Sequence, residues 1–247
     1  MALNTDRRSM TRGQADAAQV DAGLRSYMLR VYNLMASGLA LSGIVAMVIV
    51  NVPAVSSLFY VTQAGQVVGM TLLGTIAMWS PLIVLFAAMF MINKASATVV
   101  QGMYWLFVTL QGISLSLLLM MYTGESVVRV FFITAAAFAS LSLYGYTTKR
   151  DLSGLGSFLI MGVFGMLIAM VVNIFLASSM MQFIISGVGV LVFAGLTAYD
   201  TQRIKEEYNV NMDGETMSKS ATMGALSLYI NFINLLQFLL YFLGNRE

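Results

Sequence analysis

Seven apolar stretches, each long enough to cross a bilayer, occupy residues 29–51, 67–92, 99–122, 126–147, 154–177, 181–202 and 222–244. A spanning helix needs about 20 apolar residues, and lipid admits only helices or closed barrels because every backbone polar group must be satisfied inside the span. The runs are too long for barrel strands and lack period-2 alternation, since 183–194 is apolar on every side. Composition agrees: 59% apolar and 10% charged residues give a mean hydropathy of +0.82, outside the range of a soluble domain. The expected class is all-α, a polytopic membrane protein of seven helices. Residues 27–247 form the membrane domain, and 1–26, polar and without an apolar stripe, form a flexible cytoplasmic tail. That tail keeps the first apolar run too far from Met1 for a cleavable signal peptide.

Orientation follows from basic residues, which collect on the cytoplasmic side. Of 13 Lys and Arg, only Arg129 and Arg246 fall on one side of this topology. Arg7, Arg8, Arg12, Arg25, Arg30, Lys94, Lys149, Arg150, Arg203, Lys205 and Lys219 fall on the other. The N-terminus is therefore expected in the cytoplasm and the C-terminus outside. A net charge of +2 does not point to nucleic acid, and the basic residues suit anionic lipid headgroups.

The chain has no Cys and no His. Disulfides, iron–sulfur clusters, thiolate nucleophiles, His-ligated metals and Ser–His hydrolysis are excluded with them. A retinal Schiff base needs a Lys in the last helix, and 222–244 has none. No nucleophile stands at a spacing that suits an activating base, so no enzyme activity, catalytic residue or cofactor is expected.

Polar groups at membrane depth remain. In 222–244, Ser227, Asn231 and Asn234 recur at i, i+4 and i+7 and form one helical stripe, with Gln237 beyond them. The sixth stretch ends in Gly195-Leu-Thr-Ala-Tyr199-Asp200-Thr-Gln202, followed by Arg203. An acid inside hydrocarbon is costly and marks a functional site by default. Two readings stand at this point. Asp200 is buried against the stripe, where Asn231 and Asn234 supply amide donors, or it lies at the interface, neutralised by Arg203 and Lys205. Other features read as packing or bends. The Gly162/Gly165, Gly187/Gly189/Gly195 and Gly69/Gly74 sets allow close helix approach, and Pro81 frees a carbonyl one turn earlier and favours a kink. Asn33, Gln111 and Asn173 are isolated polar groups.

Three segments together resemble a known family: Gly195 to Lys205, then Gly224-Ala-Leu-Ser-Leu-Tyr229 with Phe232-Ile-Asn234-Leu, and the turn Tyr144-Gly-Tyr-Thr-Thr-Lys-Arg-Asp-Leu-Ser-Gly154. They are similar to the Bax inhibitor-1 family (the transmembrane Bax inhibitor motif proteins), in its bacterial YccA-like branch. The resemblance implies a bacterial inner-membrane protein in which helix seven is central and wrapped by the other six. It also implies a pH-sensitive calcium leak and, for some bacterial members, restraint of a membrane-bound AAA protease. Members that leak calcium pair an aspartate on helix six with one on helix seven as pH sensor and latch. Asp200 matches the first, but Asn231 stands where the second belongs. Asn231 cannot titrate, so a pH gate here is expected to be weakened or moved to lower pH. Tyr199, Gln202, Arg203, Ser227 and Asn234 are the expected supporting polar or pore-lining residues. With one core acid, any metal contact is a weak, passing one at Asp200, since Ca²⁺ takes about six to eight oxygens.

Two function classes follow. One is a leak for calcium, protons or another cation, gated at the Asp200–Asn231 contact. The other is a non-conducting scaffold that regulates a membrane-bound AAA protease or other membrane proteins through the tail and the 203–219 loop.

Overall fold

The computed structural model describes residues 12–63, 66–91 and 94–245. The elements are α1 (Arg12–Asn51), α2 (Pro53–Phe59), β1 (Tyr60–Gln63), β2 (Gln66–Met70), α3 (Leu72–Met91), α4 (Ala97–Met121), α5 (Gly124–Thr147), α6 (Ser153–Leu176), α7 (Ser179–Glu207) and α8 (Gly214–Leu243). Of the expected tail, 12–26 is the start of α1, and 1–11 lies outside the described residues. Among the described residues, six helices are long and apolar enough to cross a membrane: Val20–Asn51 within α1, then α4, α5, α6, α7 and α8.

The second expected span is corrected. Its first residues belong to an antiparallel hairpin, with Tyr60 opposite Met70 and Val61 opposite Gly69, and only α3 is helical. The run Val67-Val68-Gly69 is apolar enough to extend a hydropathy window, but β-branched residues suit a strand and Gly interrupts a helix. Tyr60 anchors the hairpin: its ring is buried and its hydroxyl donates to the Ile113 carbonyl of α4 at 3.0 Å. The ends of α7 and α8 also move: α7 continues to Glu207 and α8 begins at Gly214. Asp213 caps α8 by accepting from the Thr216 amide at 2.8 Å, and Ser178 caps α7 through the Met181 amide at 3.2 Å.

Pro81 lies inside α3. Proline cannot donate to the carbonyl four residues earlier, that of Ala77, and the Ser80 hydroxyl donates to it at 2.8 Å. The carbonyl freed by the proline is thereby satisfied without water, as hydrocarbon requires.

Helix directions can be read from cross-contacts. Tyr104 donates to the Leu34 carbonyl at 2.7 Å, and Ser42 donates to the Val108 carbonyl at 2.6 Å. Residue numbers rise together on both helices, so α1 and α4 run parallel. α8 runs with α4, because its end meets the end of α4 where Thr123 donates to the Asn245 carbonyl at 3.1 Å. α7 runs against α8, pairing Ile204 with Gly224 near one end and Gly189 with Phe238 near the other. α8 packs against α1, α4, α5 and α7, and 61% of its apolar window is buried, the highest share of the six. Its residues Ala225, Leu228 and Tyr229 have no exposed surface. Of the expected glycine sets, Gly189 and Gly195 are close-approach positions, where a Cβ would come within 2.6 Å of the Phe238 ring and of Leu159. Gly165 and Gly69 face open space.

Candidate functional site at the α7–α8 crossing

Asp200 lies seven residues before the end of α7, about 10 Å along its axis, so its own backbone is fully helical. Because α8 runs antiparallel to α7, the stripe on α8 is brought to it in reverse order. Asn231 donates from Nδ2 to Asp200 Oδ2 at 2.7 Å. The other carboxylate oxygen meets Arg203, one turn further along α7, with Nη2 to Oδ1 at 3.0 Å. The same Nη2 reaches Ser227 Oγ on α8 at 3.2 Å. Each carboxylate oxygen therefore has its own donor, one from each helix.

The cluster is graded from interior to surface. The Asp200 side chain is 13% exposed, that of Arg203 40% and that of Glu207 41%. Arg203 Nη1 stands 3.6 Å from Glu207 Oε1, so the guanidinium lies between two carboxylates at different depths. A hydrogen bond to a charged acceptor contributes about 1.5–3 kcal/mol, and polar contacts inside membrane bundles average about 0.6 kcal/mol. The Asn231 contact, between a buried amide and a nearly buried carboxylate, ties the two helices at the inner end of the cluster, and Arg203 to Ser227 ties them nearer the surface. The Arg203–Glu207 pair at the surface contributes little. Two buried polar atoms beside this cluster, Arg203 Nε and Tyr27 Oη, have no hydrogen-bond partner among the described residues. The Tyr27 ring packs on Tyr208 just past the end of α7, with centroids 5.5 Å apart.

The other expected residues go elsewhere. Gln202 accepts from the Leu152 amide and donates to the Arg150 carbonyl, both at 2.8 Å, and so clamps the turn between α5 and α6. Tyr199 lays its ring over Gly156 of α6. Asn234 donates to the Ile230 carbonyl at 2.9 Å and lines a separate cavity of about 310 Å³ between α3, α4 and α8, with Gln111, Ser114 and Gln237. The helical stripe is thus divided: Ser227 and Asn231 face Asp200, while Asn234 turns toward the uncharged cavity. Asn173 closes the α6–α7 turn by accepting from the Ser178 amide at 3.1 Å, and Asn33 is exposed.

Sequence reasoning passed over Tyr229 and Ser42. Their hydroxyls are 2.6 Å apart, and Ser42 donates to the Val108 carbonyl, so α1, α4 and α8 meet at one buried point between the Asp200 cluster and the amide-lined cavity. Tyr229 stands two residues before Asn231, but Ser42 had no signal beyond a hydroxyl in an apolar run. Lys205, expected on the cytoplasmic side and able to neutralise Asp200, turns to Tyr146 instead. Its Nζ donates to the Tyr146 carbonyl at 2.8 Å and lies 5.3 Å from the centre of the Tyr146 ring.

The family described as inhibitor of apoptosis-promoting Bax1 matches residues 24–247. A Caulobacter vibrioides protein is 49% identical over 97% of this chain and 96% of its own length, and a Rickettsia prowazekii protein is 42% identical over 92% of each. Inner membrane protein YbhL of Escherichia coli is 40% identical over 93% of this chain and 95% of its own. A match that runs through all six long apolar helices and carries the Asp200 and Asn231 segments makes this chain a member of the Bax inhibitor-1 family of membrane proteins.

Proposed function

We propose that this chain is an ion-leak protein of the bacterial inner membrane, passing calcium, protons or another cation, whose closed state is held by the Asp200–Asn231 contact between α7 and α8. The 2.7 Å hydrogen bond across that crossing carries the reading. A carboxylate nearly out of solvent, with both oxygens engaged, is shared between two long helices at their crossing. The similarity to YbhL supports the inner membrane as the location. The basic-residue asymmetry supports a cytoplasmic N-terminus and an outside C-terminus.

The reading includes seven crossings with α8 as their axis. α1 and α4 are parallel, so the chain between them must return across the membrane. α3, 20 residues and about 30 Å long, matches the hydrocarbon thickness and makes that return. The contacts of α8 with four other helices support its axial place.

Arg203 acts as a tethered cation. A permeant ion reaching Asp200 displaces the guanidinium, which has Glu207 and Ser227 as its remaining partners. With one carboxylate to offer, Asp200 gives a permeant ion weak, passing contact.

The test is calcium and proton flux into dye-loaded liposomes holding purified protein, scanned from about pH 5 to 8. Wild type is expected to show a pH-dependent flux that Asp200→Asn changes, and Arg203→Gln is expected to raise calcium flux several-fold. Asn231→Asp creates two carboxylates that share a proton and shifts the pH–flux curve upward. An Asn231→Asp curve that superimposes on wild type rules out the gate at this contact. Background-level traces from folded wild type, at every pH, exclude the leak and favour a scaffold that modulates a membrane-bound AAA protease or other membrane proteins.

A further inference from the structure

α5 packs on α7 and α8, and α1 on α4 and α8, and the two outer helices leave a cleft between them. Its near half, about 510 Å³, is lined by Arg25, Leu29, Tyr32, Phe138, Leu143 and Tyr146 among others. Its far half, about 290 Å³, is lined by Met47, Val128, Phe131, Phe132 and Leu236 among others. From Leu29 to Met47 is 18 residues, or about 27 Å of helix, close to the roughly 30 Å of hydrocarbon. The two halves share no lining residue and lie at different depths, and the near half corresponds to one leaflet.

The walls are apolar for a specific reason. The polar atoms that come near are already spent on each other: Tyr32 Oη and Ser142 Oγ lie 2.6 Å apart, and Ser142 Oγ is 3.0 Å from Thr201 Oγ1. Charge is confined to one end. Among the described residues, Arg25 is the only charged one lining the near half, it is exposed, and it makes no ion pair. Lys205 holds Tyr146 in place at that end, through its carbonyl and ring. An apolar slot of one leaflet's depth, ending in an unpaired guanidinium, matches a molecule with an acyl chain and an anionic head.

We propose that the near half of the α1–α5 cleft binds one anionic phospholipid, its acyl chain between Leu29 and Leu143 and its phosphate at Arg25. The proposal rests on the membrane embedding inferred above and not on conduction, so a protein that passes no ions still binds the lipid. A bound chain here adds to the Tyr32–Ser142 contact in joining α1 to α5.

Native mass spectrometry of the full-length protein in detergent tests it, with phosphatidylglycerol and phosphatidylcholine of identical acyl chains as probes. Wild type is expected to retain one phosphatidylglycerol per chain in preference to phosphatidylcholine. Arg25→Gln, at an exposed position that leaves folding intact, is expected to weaken phosphatidylglycerol retention roughly fivefold and to erase the preference. Ala139→Trp, which fills the slot, is expected to lower retention of both lipids, with gel-filtration behaviour as the check on folding. Equal retention of the two lipids by wild type overturns the proposal. So does a preference that survives Arg25→Gln, or a lipid-free dimer, which would mean that a second copy covers the cleft.

Discussion

α6 and α8 are both long helices built mostly of apolar residues, yet 11% of the apolar window of α6 is buried and 61% of that of α8. α6 is the more uniformly apolar of the two and presents Phe158, Phe164 and Phe175 outward. α8 carries Ser227, Asn231, Asn234 and Gln237 and lies inside. In water the order would be reversed, because burial of apolar area drives the choice. In lipid the surroundings are as apolar as leucine, so hydrophobicity gives no preference between neighbour and solvent, and polar groups together with close packing decide which helix goes in.

The sharpest way to break this comparison is to cut the same amount from each helix. Leu228→Ala in α8 removes a side chain with no exposed surface and leaves a cavity, with an expected loss of about 2–5 kcal/mol. Ile168→Ala in α6, at a position 66% exposed, is expected to stay within about 0.5 kcal/mol. Unfolding titrations in mixed micelles measure both, and equal losses would show that α6 is covered by something other than lipid.

A smaller effect is expected where helices approach closely. A Cβ at Gly145 in α5 would run into the Ala198 carbonyl oxygen of α7, so Gly145→Ala is expected to cost about 1–3 kcal/mol. Gly165→Ala in α6 meets open space and is expected to be neutral or slightly stabilising. Comparing the midpoints of the two variants isolates packing from helix propensity.

Tyr229→Phe keeps the buried ring and removes one hydroxyl from the contact with Ser42. Its expected cost is about 0.6–1.7 kcal/mol, the range for polar contacts between membrane helices. A double-mutant cycle with Ser42→Ala measures the coupling directly.

The smallest effect concerns the entry to α8. Hydrogen bonds from the Thr216 side chain and amide hold the Asp213 carboxyl below the usual carboxylate range. A depressed value means that the cap stabilises the fold at neutral pH and is lost as pH falls below about 4. A melting temperature that falls slightly on acidification in wild type, and does so less in Asp213→Asn, is the expected result.

How much of this was legible beforehand varies with the kind of feature. The long helices were readable because 20 or so apolar residues have few fates. The second span was misjudged at its start because hydropathy does not distinguish β-branched strand residues from helix residues, and Val67 and Val68 count equally in either. The end of α7 and the start of α8 fall outside the apolar runs because those turns are polar, and a helix continues through polar residues when capped, as at Asp213. At the site, the meeting of Asp200 and Asn231 was anticipated from the stripe and the family pattern. The division of that stripe was not. Ser227 and Asn231 lie on the side facing α7, and Asn234 on the side facing the cavity, a difference set by how α8 is rotated among its neighbours.

The amino-acid sequence by itself determined that this chain is helical and suited to a membrane, and that one acid, Asp200, stands at the end of an apolar run with Arg203 one turn on. These are consequences of composition and of backbone hydrogen bonding in a medium without water. Only the tertiary structure decided which donor serves each oxygen of Asp200, that Gln202 is spent on a turn, and that Ser42 and Tyr229 meet. Such pairings depend on the rotation and offset of whole helices, and every apolar stripe in lipid permits several of these at nearly equal energy until the polar and small residues select one.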